Sequence, residues 1–205
     1  MPTGQLCDLH KRNSSAAAVE NSRINKEERL KMEVKGLHRL LLNQMQDLYN
    51  AEQKQIQVFP GIALAIVDSE FRAIIDKHFE QTQYQVFRLE QIFEHLGEKP
   101  DGRECLAMKV LIQEMQDIGR KDYGPCASEA ALICALQHIE HYEIVGYGTV
   151  RSFARQLGDD ASANLLQQTL NEEAQADRWL SELAEYEINL RAAEVSCNPS
   201  SLTLS

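Results

Sequence analysis

Carboxylates stand in this sequence where helical spacing calls for apolar side chains. Stepping by four and three residues from Phe71 gives Phe71, Ile75, His78, Thr82, Gln85, Leu89, Ile92 and Leu96, a stripe apolar at both ends and polar in its middle. The same walk in an earlier segment gives Leu37, Leu41, Met45, Leu48, Glu52, Gln55 and Phe59. Two later segments give Ile133, Leu136, Glu140, Glu143, Tyr147, Val150, Ala154 and Leu157, and then Leu166, Leu170, Glu173, Asp177, Leu180 and Ala184. Charges inside an apolar bundle are expensive unless they are paired or bound to a cation. Glu52, His78, Glu140, Glu143, Glu173 and Asp177 are therefore candidate metal ligands, with Thr82, Gln85 and Tyr147 beside them. Oxygen-rich donors with an imidazole suit iron or manganese better than a thiophilic ion. A metal-free interior is the alternative, its glutamates satisfied by water, Tyr147, Gln85 or Arg88. His138 and His141, three residues apart, form a lesser candidate for a metal-binding surface pair.

Inward-facing groups share a site only at a common depth. Glu52 precedes a turn near residues 67 and 68 by about 15 residues and Thr82 follows it by about 14, so both lie roughly 21 to 23 Å from that turn at about 1.5 Å per residue. Glu143 and Glu173 stand in about the same relation to a turn near Gly158, at that same rise per residue. Both hairpins thus carry their polar layer at one height.

The elements that must hold this layer are helices. Gly and Pro punctuate the chain sparingly, at Pro60-Gly61, between Gly97 and Gly102, at Gly124-Pro125 and at Gly158, and the segments between are rich in Leu, Ala, Glu and Gln. The spacing predicts a helix over 27–66, bent or interrupted near Pro60, and a second over 69–97 behind a Ser69 cap. A short third helix is expected over 103–120, a fourth from behind Ser128 to Leu157, and a fifth from Asp160 to Ala192. Four long helices make a bundle, and the short one fills the crossover between the second and third of them. Residues 1–26 are expected as a disordered N-terminal tail, 27–191 as the bundle and 192–205 as a flexible C-terminal tail.

Composition narrows the partners. Lys and Arg number 21 against 31 Asp and Glu, a formal charge of −10, and the basic residues form no run. A nucleic-acid surface is not expected. No stretch approaches the roughly 18 to 20 apolar residues of a membrane span, and the N-terminus lacks a secretory apolar core, so a cytoplasmic protein is expected. Cys7, Cys105, Cys126, Cys134 and Cys197 are widely spaced and read as reduced thiols. Leu106, Val110, Leu111 and Met115 on the short helix are expected to be exposed and to form a pairing face.

The segment from Leu48 to Gln55, the run Ile139-Glu140-His141-Tyr142-Glu143-Ile144 followed by Tyr147-Gly148-Thr149, and Leu170-Asn171-Glu172-Glu173 resemble the YciE/YciF family of bacterial stress-associated, ferritin-like proteins. The resemblance covers about residues 37 to 187. It implies an all-α, ferritin-like four-helix bundle with an additional short helix in the crossover, a homodimer rather than a cage, and two metal ions between the helices. It also implies Glu52 as the first-helix ligand, Glu140 and Glu143 as third-bundle-helix ligands, and Glu173 as the fourth-helix ligand; if redox chemistry occurs, Glu143 is expected to span the ions. The ideal pattern adds a Glu and a His one turn later on the second and fourth helices. Here Thr82 and Gln85 stand at the second-helix positions, and Gln175 or Asp177 follows Glu173, so both histidines are missing and His78 is the nearby nitrogen donor. The expected chemistry is metal or oxidant handling with slow iron oxidation, and metal binding that fades below about pH 5.

Overall fold

The computed structural model describes the backbone of residues 5–102, 104–121 and 123–197, and the side chains of residues 31–194 apart from 103 and 122. The helices are α1 (Gln5–Ala65), α2 (Ser69–Leu96), α3 (Leu106–Ile118), α4 (Pro125–Gln156), α5 (Asp160–Leu183) and α6 (Asn189–Cys197), with a π-helical turn over Ala184–Ile188 between the last two. No strand occurs among the described residues. This is the all-α bundle of long helices α1, α2, α4 and α5, with α3 in the crossover between the second and third. The chain divides at Leu40, and the whole polar layer belongs to the unit that begins at Leu41. The expected tail 1–26 falls where side chains lie outside the described residues, although α1 takes in residues 5–26. Residues 198–205 of the other expected tail also lie outside them.

Several boundaries differ from expectation for local reasons. Asp68 caps α2 in place of Ser69, because its carboxylate Oδ1 accepts from the amides of both Glu70 and Phe71, at 3.0 and 2.9 Å. Oδ2 of the same residue accepts from Arg191 at 2.6 Å. α4 begins three residues before Ser128, since Pro125 suits the first helical position and the Ser128 amide already bonds to the Gly124 carbonyl at 2.9 Å. α1 runs past Pro60 to Ala65. α2 ends at Gly97, whose φ of 67° lets the Glu98 amide reach back to the Phe93 carbonyl at 2.9 Å.

The core is two apolar clusters with the polar layer between them. One gathers Leu41, Met45, Leu48, Leu89, Ile92, Phe93, Val150 and Leu166. The other gathers Phe59, Phe71, Ile75, Ile133, Leu136, Ile139 and Leu180, together with the inner face of α3. That inner face is Met108, Ile112 and Met115, so Met115 is buried where exposure was expected, while Leu106 and Val110 are open to solvent. The crossover is tied down by Gln46, whose Nε2 donates to the carbonyls of Lys99 and Asp101 at 3.2 and 3.0 Å. No described helix is long and apolar enough to cross a membrane.

Candidate metal centre

Each long helix delivers its polar residue because the apolar stripe around that residue faces inward. Glu52 on α1, His78, Thr82 and Gln85 on α2, Glu140 and Glu143 on α4 and Glu173 on α5 are all at most 2% exposed. Gly146 on α4 lies against Leu48 of α1: a Cβ built there would lie 2.7 Å from Leu48 Cδ2, so the Leu48 side chain would have to shift. The close contact stands between Glu143 and Tyr147, the residues that reach toward α1.

Four donors converge. One ligand atom from each of His78, Glu140, Glu143 and Glu173 lies within 4.8 Å of the others. His78 Nε2 is 3.1 Å from Glu140 Oε1 and 3.7 Å from Glu173 Oε2. Neither contact is aligned as a hydrogen bond, and both ring nitrogens are buried without a partner. No other described side chain donates to either oxygen of Glu140 or Glu173, whose carboxyls can share one hydrogen bond when one of them holds a proton, and one oxygen each of Glu52, Glu143, Gln55 and Gln85 is also unpartnered. Buried polar atoms are normally satisfied, so such a concentration of orphans is a demand for something that accepts their lone pairs.

Two glutamates are held from the side. Tyr147 donates its phenol hydrogen to Glu52 Oε1 at 2.5 Å, leaving Oε2 free, and Gln55 donates Nε2 to Glu143 Oε1 at 2.5 Å, again leaving Oε2 free. Burial raises the Glu140 and Glu143 carboxyls from 4.5 to about 8. Burial, then the charges of Glu143 and Glu173, pushes Glu52 well above the ordinary range. Glu173 rises too, through burial first, with His78 opposing and the charges of Glu143 and Glu140 adding to it. The layer therefore carries protons at neutral pH that a cation must displace.

The remaining predicted residues divide. Thr82 donates Oγ1 to the His78 carbonyl at 3.0 Å, bracing its own helix. Gln85 turns its amide to Glu172 Oε2 at 3.2 Å. Glu172 is also gripped by both arms of Arg88, at 2.6 and 2.7 Å, so the Arg88 charge is taken by Glu172. Asp177 lies outside the four-donor group. Its Oδ1 is 3.3 Å from His141 Nε2 and accepts from Gln137 Nε2 at 3.2 Å. Gln55 is a participant to which helical spacing alone assigns no role, although it stands one turn after Glu52 on the same stripe.

The donor set fits a cation. Donors around one ion at roughly 2.1 Å lie about 3.0 Å apart when adjacent and about 4.2 Å apart when opposite, so the four atoms would draw inward by rotation of their side chains to hold one ion. Three carboxylates and one imidazole suit iron or manganese. The free oxygens of Glu52 and Glu143 offer further donors on α1 and α4.

Residues 36–193 match the family described as a domain of unknown function, DUF892. The chain is 33% identical over 162 residues to protein YciF of Escherichia coli K12, covering 78% of this chain and 98% of that protein. The crystal structure of the E. coli stress protein YciF superposes with a TM-score of 0.72 at 32% identity, covering 75% of this chain and 97% of that one. YcfI of Rhodopseudomonas palustris, described as a proposed structural protein, gives a TM-score of 0.68 at 35% identity, over 71% and 92% of the two chains. A protein from Xanthomonas campestris shares the fold at 22% identity, with a TM-score of 0.62 and coverage of 78% and 99%.

Proposed function

The chain belongs to the DUF892 family, with the YciF stress protein among its relatives, and we propose that it binds iron or manganese in a carboxylate-rich, dinuclear centre inside the bundle, as a cytoplasmic protein that handles metal or oxidant under stress. The observation that carries this reading is the convergence of four fully buried donors, every one with at least one unpartnered ligand atom. His78, Glu140, Glu143 and Glu173 would hold the first ion, and Glu143 with Glu52 would extend the site to a second. Bound iron or manganese supplies positive charge and, in the case of iron, one-electron exchange. The chain's own residues do the rest. Tyr147 and Gln55 fix Glu52 and Glu143 by one oxygen each, so that the other is presented to the layer. Glu140 and Glu143 hold protons near neutral pH and would release them to solvent as a cation takes their place. The two apolar clusters keep bulk water from the layer.

The test is elemental analysis of protein purified without chelator, beside Glu140→Gln and Glu143→Gln. Wild type is expected to carry iron or manganese and each variant roughly half as much or less, with unchanged helical circular dichroism. Equal metal content in all three removes the support for a site here.

A metal-free structural module is the second reading, favoured by Thr82 and Gln85 standing where a diiron bundle has ligands and by the structural description carried by YcfI. Wild type free of metal in the same analysis selects it. Under either reading the chain is proposed to pair as a homodimer, since Leu106 and Val110 on α3 are 68% and 65% exposed. Light scattering should give twice the 23.3 kDa chain mass; a monomer, or a particle of hundreds of kDa, would contradict pairing.

A further inference from the structure

Gln55 is fully buried on the inward stripe of α1, one turn after Glu52, and the two ends of its amide are treated unequally. Nε2 donates to Glu143 Oε1 at 2.5 Å, whereas Oε1 is buried with no partner. This orientation is fixed once Glu143 is ionised, because a carboxylate only accepts, so the amide nitrogen must face it and the carbonyl oxygen must face elsewhere. The two polar atoms of an amide lie about 2.3 Å apart, which keeps Gln55 Oε1 within about 4.8 Å of Glu143 Oε1. Two further oxygens in this part of the layer are orphaned in the same manner: Glu52 Oε2, whose companion accepts from Tyr147, and Glu143 Oε2, whose companion accepts from Gln55. Each of the three side chains thus spends one polar atom on a neighbour and keeps one oxygen free. With the carboxyls ionised, three acceptor oxygens cannot satisfy one another, and a cation or a water must.

We propose, on the premise of the buried dinuclear centre, that the Gln55 amide oxygen is a ligand of the second cation and completes with Glu52 and Glu143 an oxygen-only position for a hard divalent ion of the manganese type. The first position differs in kind, since His78 adds an imidazole to the oxygens of Glu140 and Glu173. Imidazole suits zinc, copper and iron, whereas carboxylate and carbonyl oxygens suit manganese, magnesium and calcium. The two positions are therefore unequal in affinity and in choice of metal. An amide also contributes no charge, so the second ion is held by fewer negative charges and more weakly. A buried water would satisfy the same amide oxygen, and the ion count distinguishes it from a cation.

The probe is manganese(II) titrated into the full, metal-free chain at pH 8, with the unbound ion followed by electron paramagnetic resonance. Wild type is expected to bind two ions per chain in two classes, and zinc(II) added stepwise to displace the tighter class first. Gln55→Leu should bind one ion, with unchanged helical circular dichroism. Gln55→Glu should bind two, the weaker class tightened roughly tenfold, because a carboxylate supplies the same oxygen with a charge. That rescue separates a ligand from a residue that only braces Glu143: a glutamate has no amide hydrogen to donate, so bracing alone would make Gln55→Glu fail as Gln55→Leu does. Gln55→Glu alone decides the matter if Gln55→Leu does not fold. Wild type that binds no manganese removes the buried centre and this position with it. Wild type that binds one ion, Gln55→Leu that still binds two, Gln55→Glu whose weaker class is lost or unchanged, or zinc that displaces both classes alike overturns the role of Gln55 while the centre stands.

Discussion

Stripped of metal, the protein should melt at a higher temperature at pH 5 than at pH 8. Glu140 and Glu143 have carboxyls raised by burial from 4.5 to about 8, so between those values the folded chain holds protons that the unfolded chain has lost. Protons therefore favour the fold. This contribution is complete below about pH 4.5 and is lost as pH rises through about 8. At about 1.4 kcal/mol for each tenfold gain in proton affinity on folding, and with the carboxylates sharing their protons, the change is on the order of a few kcal/mol, or roughly 10 °C in a chain of this size. An ordinary surface carboxylate behaves oppositely: Glu104, held low by hydrogen bonds from Lys109 and Lys54, destabilises the fold only on further acidification. Glu140→Gln replaces a titrating group by a neutral isostere, so its melting temperature should exceed that of wild type at pH 8 and vary less with pH. Scanning calorimetry of the two chelated proteins checks this, and a wild-type melting temperature that climbs from pH 5 to pH 8 defeats it.

Manganese(II) binding should weaken by roughly 100-fold or more between pH 8 and pH 6, through proton competition at the same carboxylates. Each proton displaced contributes about a tenfold loss per pH unit below the carboxyl's own pKa, and Glu140 and Glu143 together supply up to two. The loss of binding is therefore expected at a higher pH than the value near 5 that free glutamates suggest, because burial raises the groups that must ionise. Calorimetric titration near pH 7 in two buffers of different ionisation enthalpy should show protons released on binding, and Glu143→Gln should release fewer. Binding that is constant from pH 6 to pH 8 with no proton release would place the metal elsewhere than in this layer.

What the sequence discloses is depth, and what it hides is rotation. Stepping by four and three residues brings Glu52, His78, Glu140, Glu143 and Glu173 to one level, because helical rise is fixed and the two hairpin turns are marked by Asp68 and Gly158. The direction of each side chain depends on how neighbouring helices are rolled against one another, which single-helix spacing does not contain. Hence Asp177, one turn beyond Glu173, turns to His141, and Arg88 settles on Glu172. Gln55 lies on the expected stripe, yet its hydrogen bond to Glu143 joins residues 88 apart and needs both helices in place. The π-helical turn over Ala184–Ile188 interrupts a segment whose composition reads as uninterrupted helix.

The side-on hydrogen bonds of the layer bear on how such a sequence can drift. A phenylalanine at 147 would leave Glu52 with neither oxygen paired. A leucine at 143 would strand the amide of Gln55. Each single apolar replacement exposes a partner to the desolvation cost that the pair had been sharing, whereas Glu to Gln at 143 preserves an acceptor. A dry, wholly apolar interior is reachable only by changing residues on several helices together, across intermediates worse than either end. The polar side chains of the layer are therefore tied to one another in pairs across helices: its charges can be neutralised one at a time, but its polar groups can be removed without penalty only together.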